Sequence, residues 1–508
     1  MPDPHPTPLD QDRAPAWLLP ALLALVLLPR LAVFGVNENL YGDSVARMEL
    51  AQRWAQDPHW ISSYDDGAQQ FGPLHIALLG TALWLDPDPL RAGRWVSLLF
   101  GTLSVLPLFG LTRRLFGWHA GAWAGVGLAL WGLHIQCSTT AASEAVALFW
   151  MLAAFYFVQR AREPGLVLPL LWAALCMNVA AALRYDPWML IPLLSISFLI
   201  GTEDRAAGVT RAILFGALCV PFPLLWMHGN EVAMGDPLYP LNFTNQYHHD
   251  WAVQELARMG PLSFRLRGLW FWPGAALFTL TPLLALLGGV GAVRAYRLRP
   301  ATRWLGWMIG VPTGYYVLRM VGPADFVPLA RFAMPQLVLL LPFLATGAGW
   351  LSTRRVPARA LLATSALVAV GVAVWLSGLT WDREGKWVDS FRPVSPISRN
   401  PPSLRVVIDY LRENAGEGRV LLDADPAFWD LQLGAFLELP EDRLIRARWP
   451  DLEARLAVPP RWVVVSADGT LDRVPGLRIT SEQLVLPDGG RLRRIPGLPG
   501  PLRVYGPD

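Results

Sequence analysis

A chain that alternates apolar runs of about 20 residues with short arginine-bearing loops has few folds open to it. Such runs lie near 17–36, 95–112, 119–137, 144–159, 166–183, 187–201, 211–229, 268–293, 304–320, 332–351 and 358–380. A helix of roughly 20 apolar residues crosses about 30 Å of hydrocarbon. Lipid offers backbone amides no partners, so only helices or closed barrels satisfy them there. The sequence therefore predicts an α-helical polytopic membrane protein with about eleven transmembrane helices. The apolar stretch 72–85 is too short to count and reads as an interfacial or half-inserted helix. Composition agrees: with 53% hydrophobic and 16% charged residues in 508, the chain is too apolar for an ordinary soluble multidomain protein.

Arginine placement sets the orientation. Arg113-Arg114, Arg160 with Arg162, Arg205 with Arg211, Arg294 through Arg303, and Arg354-Arg355 with Arg359 fall in alternate loops, and short basic loops face the cytoplasm. That puts the N-terminal tail, 1–16, inside. It puts 37–94, 138–144, 184–187, 230–267, 321–331 and the C-terminal 381–508 outside. The tail is proline-rich and lacks the basic start and small-residue cleavage site of a signal peptide, so the first span reads as an uncleaved anchor. The near-neutral net charge of +3 hides this asymmetry in arginine placement and says nothing about nucleic acid, which is not among the expected partners. Cys137, Cys176 and Cys219 lie in or beside apolar runs and imply no disulfide or cysteine-metal framework.

Three domains follow: the tail 1–16, a membrane domain 17–380 with a long first external loop 37–94, and an external domain 381–508. In the last, 419–423 and 461–465 read as buried strands with a helix over 426–437 between them, an order that favours parallel pairing in a small α/β unit. No glycine-rich phosphate loop follows the first strand. Asp423 and Asp425 stand there instead, as solvated carboxylates at a helix start or part of a metal or acceptor site.

Loops beyond about 15 residues usually carry function or structure of their own, which directs attention to 37–94. Asp43 opens a stretch with apolar residues at 45, 48 and 51, the spacing of an amphipathic helix lying on the membrane surface. It reads as the N-cap of that helix, as a fixed general base, or as both, since a helix N-terminus keeps a carboxylate ionised. Glu144 stands at the next external turn, either a helix-start acid with Ser143 as cap or a functional acid at the hydrocarbon edge. Lys386 is the only lysine, so any cation that holds phosphate near the membrane must be arginine. Arg184, Arg331, Arg30 and Arg319 are placed for this. For Arg30 and Arg184 a structural pairing or a snorkel to the interface competes, Asp186 being the obvious partner of Arg184. His248, His249 and Asp250 invite a metal reading, but neighbouring side chains on one element point apart. Polar lining of a substrate cleft is the competing role. Asp86-Pro87-Asp88-Pro89 looks like a nucleotide-sugar signature, but the prolines suit a turn.

In their order, several segments resemble the glycosyltransferase C superfamily, in particular the branch of protein O-mannosyltransferases and aminoarabinose transferases. They are Gly42-Asp43-Ser44, Phe71-Gly72-Pro73-Leu74-His75, Arg114 to Gly117, Glu144, Arg184-Tyr185-Asp186, Gly235-Asp236-Pro237-Leu238-Tyr239, and Arg331-Phe332 with Pro335. The resemblance covers roughly 17–350. It implies a sugar donor carried on polyprenyl phosphate, a deep external cavity under the first loop, and Asp43 as base with Glu144 as second acid. Arg184, Arg331 and Arg30 become donor-phosphate contacts, and His75, Tyr185, Asp236, Tyr239 and His248 cavity or acceptor lining. Acceptors of this class are glycans, lipids or protein hydroxyls at the envelope, served by a multi-pass protein of a bacterial-type inner membrane. No cofactor is implied, and the sequence is silent on a divalent metal. Ser44 stands where relatives often carry a second acid, and Gly72 or Arg184 where they often carry lysine. Two other readings remain open: a transporter or flippase of lipid-linked sugars, and a non-catalytic scaffold whose external domain recruits a partner.

Overall fold

The structure, a computed structural model, describes residues 14–38, 42–163, 167–353, 360, 402–424, 429–440, 442–449, 451–467, 469–498 and 501–507. The expected span 358–380, save residue 360, lies outside the described residues, as do 1–13, the start of the external domain, and Asp425 with the first residues of its expected helix.

The chain is a multi-pass α-helical membrane protein with a C-terminal sheet domain. Four described segments are long and apolar enough to cross a membrane: Ala92–Phe116, Ser143–Ala161, Arg205–Met234 and Ala330–Ser352. Pro261–Leu277 and Pro282–Leu298 make a fifth if that bent pair is one span, and Leu18–Phe34 and Leu168–Leu183 are apolar but shorter. The expected count of eleven crossings is not confirmed among the described residues, where three of the apolar runs depart locally from a long continuous apolar helix. The run 119–137 breaks at Trp131, whose backbone is extended between Trp118–Leu130 and Gly132–Cys137. The run 187–201 forms only the helix Asp186–Ser197, with Pro192 inside it. The helix Arg303–Val321 carries arginine at its first position and again in its last turn.

The following labels are used: α1, Leu18–Phe34; α2, Gly42–Gln56; α3, Pro73–Leu85; α4, Ser143–Ala161; α5, Leu168–Leu183; α6, Tyr239–Met259. Helix α4 is the buried axis of the membrane domain and packs mainly on α5. Alanines at 145, 147, 153 and 154 on α4 and at 173, 174, 180 and 181 on α5 are buried. Small side chains let the two backbones approach closely, which in lipid takes the place of a hydrophobic driving force. Gly72, just ahead of α3, lies against the backbone of Leu183 at the end of α5, where a Cβ would not fit. The long Arg205–Met234 segment behaves differently: its Ile213, Leu214, Leu224 and Leu225 are exposed, as a lipid-facing surface requires.

The C-terminal domain holds a seven-stranded sheet in the order β2-β1-β3-β7-β6-β5-β4, with β1 Val420–Leu422, β2 Leu444–Arg446, β3 Trp462–Ser466, β4 Arg478–Ile479, β5 Gln483–Val485, β6 Arg491–Arg494 and β7 Leu502–Gly506. Val420 pairs in parallel with both Leu444 and Trp462, so the two expected strands and the helix between them, Trp429–Leu437, are present. The antiparallel half, β7 to β4, was not anticipated. Asp423 is not a solvated loop acid. It is buried and accepts from the backbone amides of Ser466, Thr470 and Leu471 at 3.0, 2.8 and 3.0 Å, pinning the turn after β3.

Candidate active site

Four segments far apart in sequence bring opposite charges together at one end of the membrane domain. Arg331, in the short turn Ala330–Ala333, reaches Asp43 Oδ2 at 2.9 Å and Glu144 Oε1 at 3.4 Å. Arg184, at the C-terminal end of α5, donates to Glu144 Oε1 at 2.7 Å, to Asp186 Oδ2 at 2.7 Å and to Ser143 Oγ at 2.8 Å. Arg47 lies one helical turn beyond Asp43, 4.0 Å from its carboxylate, with its guanidinium 4.4 Å over the Phe71 ring. Among the described residues, three carboxylates, Asp43, Glu144 and Asp186, thus meet three guanidiniums, Arg47, Arg184 and Arg331.

The two acids differ in access. The Glu144 side chain is 3% exposed and lies between two arginines. Asp43 is 36% exposed, the most open acid of the three. Its burial would raise the carboxyl pKa, but the charges of Arg331 and Arg47 and the hydrogen bond from Arg331 outweigh this and hold it below the usual carboxylate range. An ionised, accessible oxygen fixed by charge-assisted contacts is what a general base requires.

Both capping expectations need correction. Helix α2 begins at Gly42, so Asp43 lies inside its first turn, with its carboxylate turned to Arg331. Helix α4 begins at Ser143, whose hydroxyl takes a hydrogen bond from Arg184 in place of capping the helix. Arg184 is paired with Asp186, as the structural reading held, but with Glu144 as well.

The remaining residues divide. His75 is fully buried, and neither ring nitrogen has a partner among the described residues. Arg47, Glu144 and Arg184 are near enough to act on it electrostatically. His248 packs 4.7 Å from the Phe326 ring, and burial with the charges of Arg331 and Arg319 pushes it down to about 4, so its ring is neutral at physiological pH. Its neighbour His249 is exposed, and among the described residues no three His, Cys, Asp or Glu side chains gather as metal ligands. Tyr185 stands beside the cluster, its hydroxyl accepting from Trp226 Nε1 at 3.0 Å. Three residues are engaged elsewhere. Arg30 is buried in α1, donating to the carbonyl of Leu128 at 3.3 Å and to His134 Nδ1 at 2.5 Å. Asp236 accepts from the Leu238 amide and from Asn242, a turn-forming role ahead of α6. Tyr239 packs edge-on to Tyr64 at 4.9 Å. Sequence reasoning missed Arg47, although its i,i+4 spacing from Asp43 puts both on one helical face. Arg319 is held by Asp325 and Asn245.

Helices wrapped on an alanine-lined core, joined to a C-terminal sheet domain, form a fold similar to that of solved glycosyltransferases. Within that fold, residues 72–226 match the family described as dolichyl-phosphate-mannose-protein mannosyltransferase, a stretch that contains Glu144 and Arg184 but neither Asp43 nor Arg331. ArnT of Cupriavidus metallidurans, solved bound to undecaprenyl phosphate, superposes with a TM-score of 0.58 at 13% identity over 97% of this chain and 98% of its own. The Archaeoglobus fulgidus oligosaccharyltransferase in its apo form gives 0.55 at 14% identity, over 89% of this chain and 70% of its own. The archaeal oligosaccharyltransferase AglB from the same organism, bound to an inhibitory peptide and a dolichol-phosphate, gives 0.51 at 13% identity, over 89% and 69%. A search of curated proteins found no match to the sequence.

Proposed function

We propose that this protein moves a sugar from a polyprenyl-phosphate carrier to a hydroxyl of an envelope acceptor, a lipid, glycan or protein, at the external face of a bacterial-type inner membrane. The observation that carries the reading is the Asp43–Arg331–Glu144–Arg184 chain of contacts. The relatives solved with undecaprenyl phosphate and dolichol-phosphate support the donor class. The N-terminus is cytoplasmic and the C-terminal domain extracytoplasmic in this scheme.

The chemistry is a displacement with inversion. An acceptor hydroxyl gives its proton to the Asp43 carboxylate as its oxygen bonds to the anomeric carbon. The bond from that carbon to the phosphate oxygen breaks, and its electron pair leaves with the polyprenyl phosphate, whose charge rises from one negative to two. Arg331 and Arg184 stabilise that growing charge, an effect worth about 3–4 kcal/mol for one well-placed donor. Donor phosphate draws Arg331 toward itself and loosens its hold on Asp43, which raises the basicity of the carboxylate as the reactants assemble. Glu144 keeps the two arginines aligned and shapes the acceptor side, and His75 lines the cavity. Arg30 has no part, being engaged by Leu128 and His134.

The test is transfer of radiolabelled sugar from membrane lipid in cells that make Asp43→Asn. Loss of transfer with normal protein levels is expected. Wild-type transfer would end the assignment, and translocation of lipid-linked sugar without transfer in reconstituted liposomes would favour a flippase.

A further inference from the structure

Asp43 stands between two acids, Glu38 and Glu49, and each is taken by an arginine of the C-terminal domain. Arg405 Nη2 lies 2.8 Å from Glu38 Oε1. Arg446 engages Glu49 through both terminal nitrogens, Nη1 meeting Oε2 at 2.7 Å and Nη2 meeting Oε1. A forked contact of this kind fixes direction as well as distance. Two pairs therefore bracket the segment that carries the proposed base.

The Arg446 pair is built rather than incidental. Its side chain is 6% exposed. It ends β2, whose register places Arg446 opposite Leu422. Gly434 leaves room for the guanidinium, since a Cβ there would stand 2.5 Å from Nη2. The helix Trp429–Leu437, which contains Gly434, packs on α2, and the Asp430–Arg448 pair ties that helix to the strand-end loop. Glu49 follows Asp43 by six positions, about 9 Å along the helix axis and roughly 240° around it. Arg446 thus grips a different face of α2 from the one that presents Asp43 and Arg47 to the site.

We infer that Arg446 and Arg405 are positioning residues that hold Glu49 on α2 and Glu38 ahead of it and so set where Asp43 meets the acceptor. The C-terminal domain then belongs to the transfer machinery. This rests on Asp43 being the base. Both arginines are engaged on Glu38 and Glu49 and not on the acids that hold Arg184 and Arg331, so breaking the clamp lowers turnover while donor binding by Arg184 and Arg331 stays.

The test uses the full chain in nanodiscs, with radiolabelled lipid-linked sugar extracted from the producing membranes as donor, and compares Arg446→Glu, Glu49→Arg and the double exchange. Misplacement by about 1 Å costs up to roughly 100-fold in rate, so each single exchange is expected to lower kcat by about 10- to 100-fold, with donor KM changed less than about threefold. The double exchange restores kcat, and hydrogen exchange across 42–56 rises in the singles and returns in the double. Single exchanges that keep wild-type kcat while Asp43→Asn is inactive would overturn the clamp and leave the base standing. An active Asp43→Asn would remove the base, whatever the exchanges do, and the clamp inference with it. If the Arg446 variants do not accumulate, Arg405→Gln carries the test: kcat falls by a few-fold at constant KM, and an unchanged kcat overturns the proposal.

Discussion

Replacing Arg331 by glutamine removes one group from two places at once, and the two effects have separate signatures. Arg331 is 12% exposed and lies 2.9 Å from Asp43 and 3.4 Å from Glu144. At an effective dielectric near 20, unit charges about 4 Å apart interact by about 4 kcal/mol. Asp43 is 36% exposed, and solvent screening cuts its share to about 1 kcal/mol. The larger loss falls on the leaving phosphate: removing one donor to developing charge costs about 10²–10³ in kcat. Turnover of Arg331→Gln should fall by about that factor. The pH profile carries the second signature. Asp43 is held below its ordinary pKa, so it is ionised above that lowered value and loses its basic form only as the pH falls through it. Without Arg331 the depression shrinks, and the acid limb of kcat/KM moves to higher pH. Arg331→Lys returns charge without the second contact and recovers part of both. The assay is the initial rate of lipid-to-acceptor transfer from pH 2 to 8. A kcat within about threefold of wild type, with an unmoved acid limb, would refute both roles.

Gly72→Ala places a methyl group against the Leu183 backbone, next to Arg184. Overpacking of about 1–3 kcal/mol is expected, seen as a lower Tm in detergent together with reduced turnover, and an unchanged Tm would contradict the close approach. Asp423→Ala strands three backbone amides near the centre of the C-terminal sheet. It should destabilise that domain by about 1–3 kcal/mol, read by limited proteolysis of 402–507, while equal protease resistance would contradict it.

The residues that carried the sequence reading were those whose chemistry is costly where they stand. Glu144 and Asp43 at apolar borders, and Arg184 and Arg331 beside them, had to find partners, and they find one another. Arg30 met the same criterion but satisfies itself locally on His134 and a carbonyl, a solution that depends on the break at Trp131 and is invisible to hydropathy. The span count goes unconfirmed where length and apolarity part, as in the 12-residue helix Asp186–Ser197. In the C-terminal domain, β1 and β3 were legible because both are continuous buried apolar runs. Strands β4 and β6 were not, because Arg478-Ile479 and Arg491 to Arg494 expose most of their side chains. No sequence motif singles out Arg446, and only the tertiary fold sets it on Glu49.

The equal count of carboxylates and guanidiniums among the described residues of the site has a kinetic consequence. A balanced cluster has no surplus positive charge before the carrier lipid arrives, so attraction for a singly charged phosphodiester is modest. In the proposed reaction, transfer leaves a phosphomonoester with an additional negative charge beside the same arginines. If the proposed reaction holds, the spent carrier is expected to be held more firmly than the loaded one, and added polyprenyl phosphate is expected to compete with the donor as an inhibitor.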